Sequence, residues 1–200
     1  MVDYGRAFKR PFTDIKTLII GIILQYIPIV NFIPMGYYLN CAATASKKDF
    51  NFYEFSDWGG LFVKGLLAFI IAIIYMLPFS IVWGATMFLS IGAMMSGGDI
   101  TTFLASMGIG GIIAIILGII AGYLLPLALT KYAIDGNFGA AFSLGTIIHK
   151  ALTVKYLVTW IVMGIVGCIL GAIFSYVFGI LIFPFLVAYY TAIGEIYPEL

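Results

Sequence analysis

Residues 66–95 read LLAFIIAIIYMLPFSIVWGATMFLSIGAMM, a run without a single Asp, Glu, Lys, Arg or His. A helix needs about 20 apolar residues, at roughly 1.5 Å each, to cover about 30 Å of hydrocarbon. The run exceeds that length, and Leu77-Pro78 near its middle predicts a tilted or kinked membrane helix. Working outward, Met107 to Leu129 (with Pro126 near its end), Leu152 to Ile173 and Phe178 to Ile193 read the same way, the last two separated by a hydrophobic tip at Ser175 and Tyr176. Composition agrees: 63% hydrophobic residues, 10% charged ones and a mean hydropathy of +1.13 leave too little polar surface to cover a water-soluble fold of 200 residues. The expected fold is all-α, a polytopic integral membrane helical bundle with five to six membrane segments.

A formal net charge of +1 supplies no concentrated basic field, so nucleic acid is not an expected partner. All ten Lys and Arg residues lie in the stretches 6–16, 47–64 and 131–155, and basic residues in short loops favour the cytoplasm. Leu18 to Ala45 is then ambiguous. As one kinked helix it would put Lys9, Arg10 and Lys16 on one side of the membrane and Lys47 and Lys48 on the other. As two short segments turning at PIVNFIP (28–34) it returns both clusters to one side, and Pro28, Asn31 and Pro34 suit a turn. The second reading is preferred, each arm being short enough to be tilted or re-entrant.

The chain then reads as one membrane domain, 1–200. It comprises an amphipathic segment 1–16, a short or re-entrant hairpin 17–46, an interfacial connector 49–65, a hairpin 66–133, a second connector 135–152 and a hairpin 153–197. The expected location is the cell membrane with both termini cytoplasmic, and residues 1–16 are too polar for a secretory signal.

Sliding the sequence by 86 residues lays 36–66 on 122–152 with identity at 11 of 31 positions, including Gly36/Gly122, Tyr37/Tyr123, Asp49/Asp135, Asn51/Asn137 and Lys64/Lys150. The repeated unit is an inward helix, an Asp-x-Asn-Phe turn and an amphipathic stretch ending in Lys. Trp58, Lys64, His149 and Lys150 in those stretches, with Lys9, Arg10, Lys47 and Lys48, are the candidate interfacial and lipid-headgroup residues. A parallel repeat also admits a pseudo-rotation axis along the membrane normal.

The combination PIVNF (28–32), MGYYL (35–39), FYEFSDWGGLFVKGLLAF (52–69) and IYMLPF (74–79) resembles the prokaryotic membrane family called domain of unknown function 4013. The resemblance implies a small multi-pass membrane protein and carries over no activity and no site. Members often place Arg shortly after the Gly-Tyr helix start, whereas here Asn40 and Cys41 are followed by Lys47 and Lys48.

Chemistry is sparse. The apolar runs hold no ionisable group of the kind that ion-coupled carriers need, Lys131 being able to snorkel from its helix end. His149 has only Ser143 and Asp135 near it in sequence and reads as an interfacial side chain, not a catalytic base. The pairs Asp57/Glu54 and Glu195/Glu199 lack a third ligand and read as solvated ends, so no metal is expected. Gly108, Gly110 and Gly111 open a membrane helix with no strand before them, so no dinucleotide cofactor is expected either. Cys41 and Cys168 read as small buried hydrophobes. Two stripes, Gly111, Gly118 and Gly122, and Gly164, Gly167 and Gly171, are the candidate helix-packing positions, within one chain or between copies.

The expected function is non-enzymatic: a membrane scaffold or interaction protein whose partners are the lipid bilayer and either another membrane protein or a second copy. The alternative is a channel or carrier for a neutral or hydrophobic solute, with Pro28, Pro34, Pro78 and Pro184 along its path.

Overall fold

The structure is a computed structural model that describes residues 3–51, 55–173 and 178–200, in which every regular element is helical. The expected tip at Ser175 and Tyr176, and Glu54, lie outside the described residues. In chain order the helices are α1 Tyr4–Lys9, α2 Ile15–Gln25, α3 Phe32–Ser46, α4 Trp58–Met95, α5 Ile100–Ser106, α6 Gly108–Asp135, α7 Leu144–Ala151, α8 Val154–Ile173 and α9 Phe178–Ile196. Short 3₁₀ turns occupy Arg10–Phe12, Phe138–Phe142 and Tyr197–Glu199. Among the described residues, α4, α6, α8 and α9 are long and apolar enough to cross a membrane.

Local sequence sets the boundaries. Asp3 caps α1 by accepting from the Arg6 amide at 2.9 Å, and Asp14 caps α2 through the Lys16 amide at 2.9 Å and the Thr17 hydroxyl at 3.0 Å. Between α2 and α3 the chain turns through 26–31, where Ile29 takes a left-handed φ of 72°. α4, α6 and α9 each continue through an internal proline, Pro78, Pro126 and Pro184. α4 begins at Trp58, so residues 58–65, expected in an interfacial connector, are the first turns of the helix that carries 66–95.

The chain forms two compact units, 1–71 with 126–200, and 72–125. In the first, α9 is the central helix: 61% of its span is buried, against 17% for α8. Contacts fix the directions of its neighbours. Tyr38 stacks on Tyr190 at 5.2 Å and Gly194 lies against the Ala42 carbonyl, so α3 runs parallel to α9. Gly21 lies on the Phe183 ring and Tyr26 on Gly179, so α2 runs antiparallel to it. Along α3, Gly36 meets the backbone of Leu61 and Gly65 meets the backbone of Phe32, so the start of α4 is antiparallel to α3. Gly36, Gly65 and Gly194 let two backbones approach where any side chain would intervene, and Gly21 and Gly179 make room for the Phe183 and Tyr26 rings.

In the second unit, Thr86 lies against Gly110 and the Phe79 ring against Gly118, which pairs 72–95 with 108–125 in antiparallel order. Between them, the tip expected over 96–106 contains α5, capped by Asp99. The Thr101 hydroxyl, the Thr102 amide and the Thr102 hydroxyl, at 2.6, 2.9 and 3.0 Å, hold the Asp99 carboxyl down to about 2 from an ordinary 3.8. A depressed carboxyl pKa contributes stability that is complete above the unfolded value and fades as pH falls from there through the folded value. Protection of the Thr102 amide from hydrogen exchange should therefore hold from neutral pH to about 4 and be lost toward about 2. A decline already complete at pH 5 would contradict the cap.

Candidate functional site

Polar side chains of the first unit gather at one end, around the last turns of α3 and α9. Arg10 is the centre. Pro11 and the 3₁₀ turn at Arg10–Phe12 swing the chain from α1 toward α2, and the Arg10 side chain points inward, 7% exposed. One terminal nitrogen donates to the Cys41 carbonyl at 2.9 Å and the Thr191 hydroxyl at 3.3 Å. The other donates to the Thr44 hydroxyl at 2.7 Å and the Asn51 carbonyl at 3.4 Å. All four acceptors are neutral, and Cys41 lies in the last turns of α3, where the helix carbonyls favour a cation. The guanidinium therefore works as a four-way clamp on α3, α9 and the loop after α3, with a fork geometry that a lysine lacks.

The other basic stretches meet the same end. Lys48 donates to the Glu195 carbonyl and to the Glu199 carboxylate, each at 3.1 Å, and Lys155 reaches the second Glu199 oxygen at 3.1 Å. Lys150 donates to the Tyr197 carbonyl at 2.8 Å and sits 4.3 Å from the centre of that ring; burial and the neighbouring Lys131 lower its pKa. Lys64 donates to the Asn40 side chain and, at 3.4 Å, to the Ala133 carbonyl, joining α4 to α3 and to the end of α6. Arg6, paired with Asp3 at 3.1 Å, lies over the Phe50 ring at 4.4 Å. Residues from all three basic stretches of the sequence thus stand around one end of this unit.

Of the candidate interfacial residues, Arg10, Lys48, Lys64 and Lys150 take part in these contacts. Lys9, Lys47 and His149 are exposed, and Trp58, exposed as well, stacks on Phe55 at 5.6 Å. Among the candidate packing glycines, a Cβ added at Gly118 would lie 3.1 Å from the Phe79 ring and one at Gly167 3.1 Å from the Phe185 ring. At Gly111, Gly122, Gly164 and Gly171 it would meet open space.

Two residues are placed differently from the sequence expectation. Glu195, read as a solvated end, is 5% exposed, because α1 packs over the last turns of α9 and the Asp3 amide donates to its carboxylate at 3.3 Å. Cys168, read like Cys41 as a small buried hydrophobe, is exposed on α8, while Cys41 is buried. Sequence reasoning also passed over Thr44 and Thr191 as partners of Arg10. The available signal was thin: a Thr-rich, acid-bearing helix end in an otherwise apolar segment.

Two of the hollows that border the first unit are lined by described residues. One, about 240 Å³, is lined by Asp14, Lys16, Thr17, Ile20, Phe55 and Trp58. The other, about 170 Å³, is an apolar cleft between Phe8, Phe12, Val166, Leu170, Leu181, Pro184 and Phe185.

The sequence model of one family, described as Protein of unknown function (DUF4013), matches residues 19–183. No curated protein and no solved structure matches the chain.

Proposed function

This chain belongs to the DUF4013 family, and from its own geometry we propose that it is a non-enzymatic membrane scaffold or interaction protein whose basic end engages anionic lipid headgroups. The observation that carries this reading is the convergence of residues 6–16, 47–64 and 131–155 on one end of the first unit. Cations collected at the ends of membrane helices lie at headgroup depth, where each is attracted by an anionic leaflet.

The topology we infer has three hairpins, with this basic end facing the cytoplasm of the cell membrane and the turns 26–31 and 96–99 on the opposite side. The opposed directions of α2 and α3 along α9 support the first hairpin. We also infer a duplicated unit: α4 and α7 begin at Trp58 and Leu144, positions 86 residues apart, the offset of the sequence repeat. The first copy continues without a break into the apolar part of α4, and the second breaks at 152–153 before α8.

Labelling tests the topology. In a Cys168→Ser background, Asn31→Cys and Asp99→Cys should both react with an impermeant maleimide added from outside. Reaction of 99 from outside with 31 reacting only from the cytoplasm would disprove the first hairpin. For the function, the thermal midpoint should be higher in phosphatidylglycerol discs than in phosphatidylcholine discs, with the difference shrinking as salt is added. Equal midpoints at low salt would refute the headgroup reading. The carrier alternative draws on the apolar cleft beside Pro184; solute-specific swelling of proteoliposomes would favour it.

A further inference from the structure

We propose that Lys48 and Lys155 form a seat for the phosphodiester of an anionic phospholipid, and that Glu199 fills this seat from within the chain until a lipid displaces it. The inference rests on the reading that this end lies at headgroup depth. The two ammonium groups grip different oxygens of one carboxylate, each at 3.1 Å. A phosphodiester presents the same feature, two anionic oxygens on one centre, and adds charge-assisted hydrogen bonds of the same kind.

The seat is assembled from distant parts of the chain. Lys48 stands just past the end of α3 and is steadied by its second bond to the Glu195 carbonyl; Lys155 is in the first turn of α8; Glu199 belongs to the 3₁₀ turn after α9. The lysine side chains are 52% and 56% exposed and the Glu199 side chain 34%. Ion pairs so open to water are weak, so an incoming anion can exchange with Glu199 at little cost. Beside Lys155, Leu152 and Val154 are 80% and 74% exposed, an apolar shoulder of the kind an acyl chain covers once the phosphate is seated. An internal carboxylate holding two lysines that border lipid is a competitor for lipid phosphate by charge alone.

The test uses the full chain in mild detergent with equal parts of phosphatidylglycerol and phosphatidylcholine, counting lipid retained per chain after washing. Wild type should retain phosphatidylglycerol in preference. Glu199→Gln should raise that retention about threefold, the effect of removing one exposed competing charge. Glu199→Asp, which keeps the charge, should stay within the wild-type range, and Lys48→Gln with Lys155→Gln should erase the preference in either background. An unchanged preference in Glu199→Gln, with its thermal midpoint intact, overturns the competition and leaves the proposed function standing. Absence of any preference in wild type overturns both. Displacement of phosphatidylglycerol by millimolar inorganic phosphate would assign the seat to a soluble anion and overturn the lipid assignment.

Discussion

Arg10→Ala should destabilise the protein by on the order of 3–5 kcal/mol, lowering the thermal midpoint in detergent by roughly 10 °C. The buried guanidinium satisfies the Cys41 and Asn51 carbonyls and the Thr44 and Thr191 hydroxyls at once. Its removal takes the donor from the buried Thr191 hydroxyl and leaves the Cys41 carbonyl the Thr44 hydroxyl as its side-chain donor, and each buried group so deprived costs about 1–3 kcal/mol. It also leaves a side-chain-sized void at the junction of α1, α3 and α9. Arg10→Lys should lose about half as much, because one ammonium cannot span four acceptors spread over two helices and a loop. The comparison separates the clamp from mere charge: equal losses in Ala and Lys would show that geometry matters and charge does not, and a loss under about 1 kcal/mol in Ala would refute the clamp.

The second large effect concerns glycines. Gly36→Ala, Gly65→Ala and Gly194→Ala each drive a methyl into backbone, the Leu61, Phe32 and Ala42 carbonyls respectively. Backbone cannot swing aside as a side-chain tip can, so helices must separate, at about 1–3 kcal/mol or more for each site. Gly36 and Gly65 face each other across one contact between α3 and α4, so the double variant should fall short of additivity. Gly122→Ala and Gly164→Ala meet open space and should be neutral or stabilising by about 0.5–1 kcal/mol, the helix preference of Ala over Gly. Chemical denaturation in detergent reads both sets. Equal costs in the two sets would show that the close approaches do not hold the helices together.

These glycines show what sequence could and could not disclose about packing. Gly164, Gly167 and Gly171 stand at helical spacing, so the pattern proposed them; Gly36 is the one glycine of α3, and Gly65 and Gly194 have no glycine three or four residues away, so no such stripe marked them. Proximity across helices has no signature within one segment. The site divides in the same way. The basic stretches were legible because Lys and Arg are conspicuous against apolar sequence, and Lys48, Lys64 and Lys150 were named from it. Arg10 was named too, though as an interfacial residue, and its burial depends on which carbonyls the fold brings to it. Glu195 read as a solvated end because its neighbours in sequence give no hint that α1 lies over it.

The sequence by itself determined the helices and their apolar character. Length, hydropathy and the missing charges of 66–95 leave no other structure that satisfies backbone polar groups in hydrocarbon, and the caps at Asp3, Asp14 and Asp99 follow from side chains adjacent to the amides they serve. Only the tertiary structure decided that α9 is the central helix of its unit, that single glycines set its approach to α3, and that Arg10, Lys48 and Lys155 close on partners over 30, 140 and 40 residues away in sequence. The reason is physical. Local structure is set by hydrogen bonds between neighbours in the chain, which a pattern of residues encodes; in an apolar chain the helix faces are chemically alike, so the choice among them falls to shape and to a few buried polar groups.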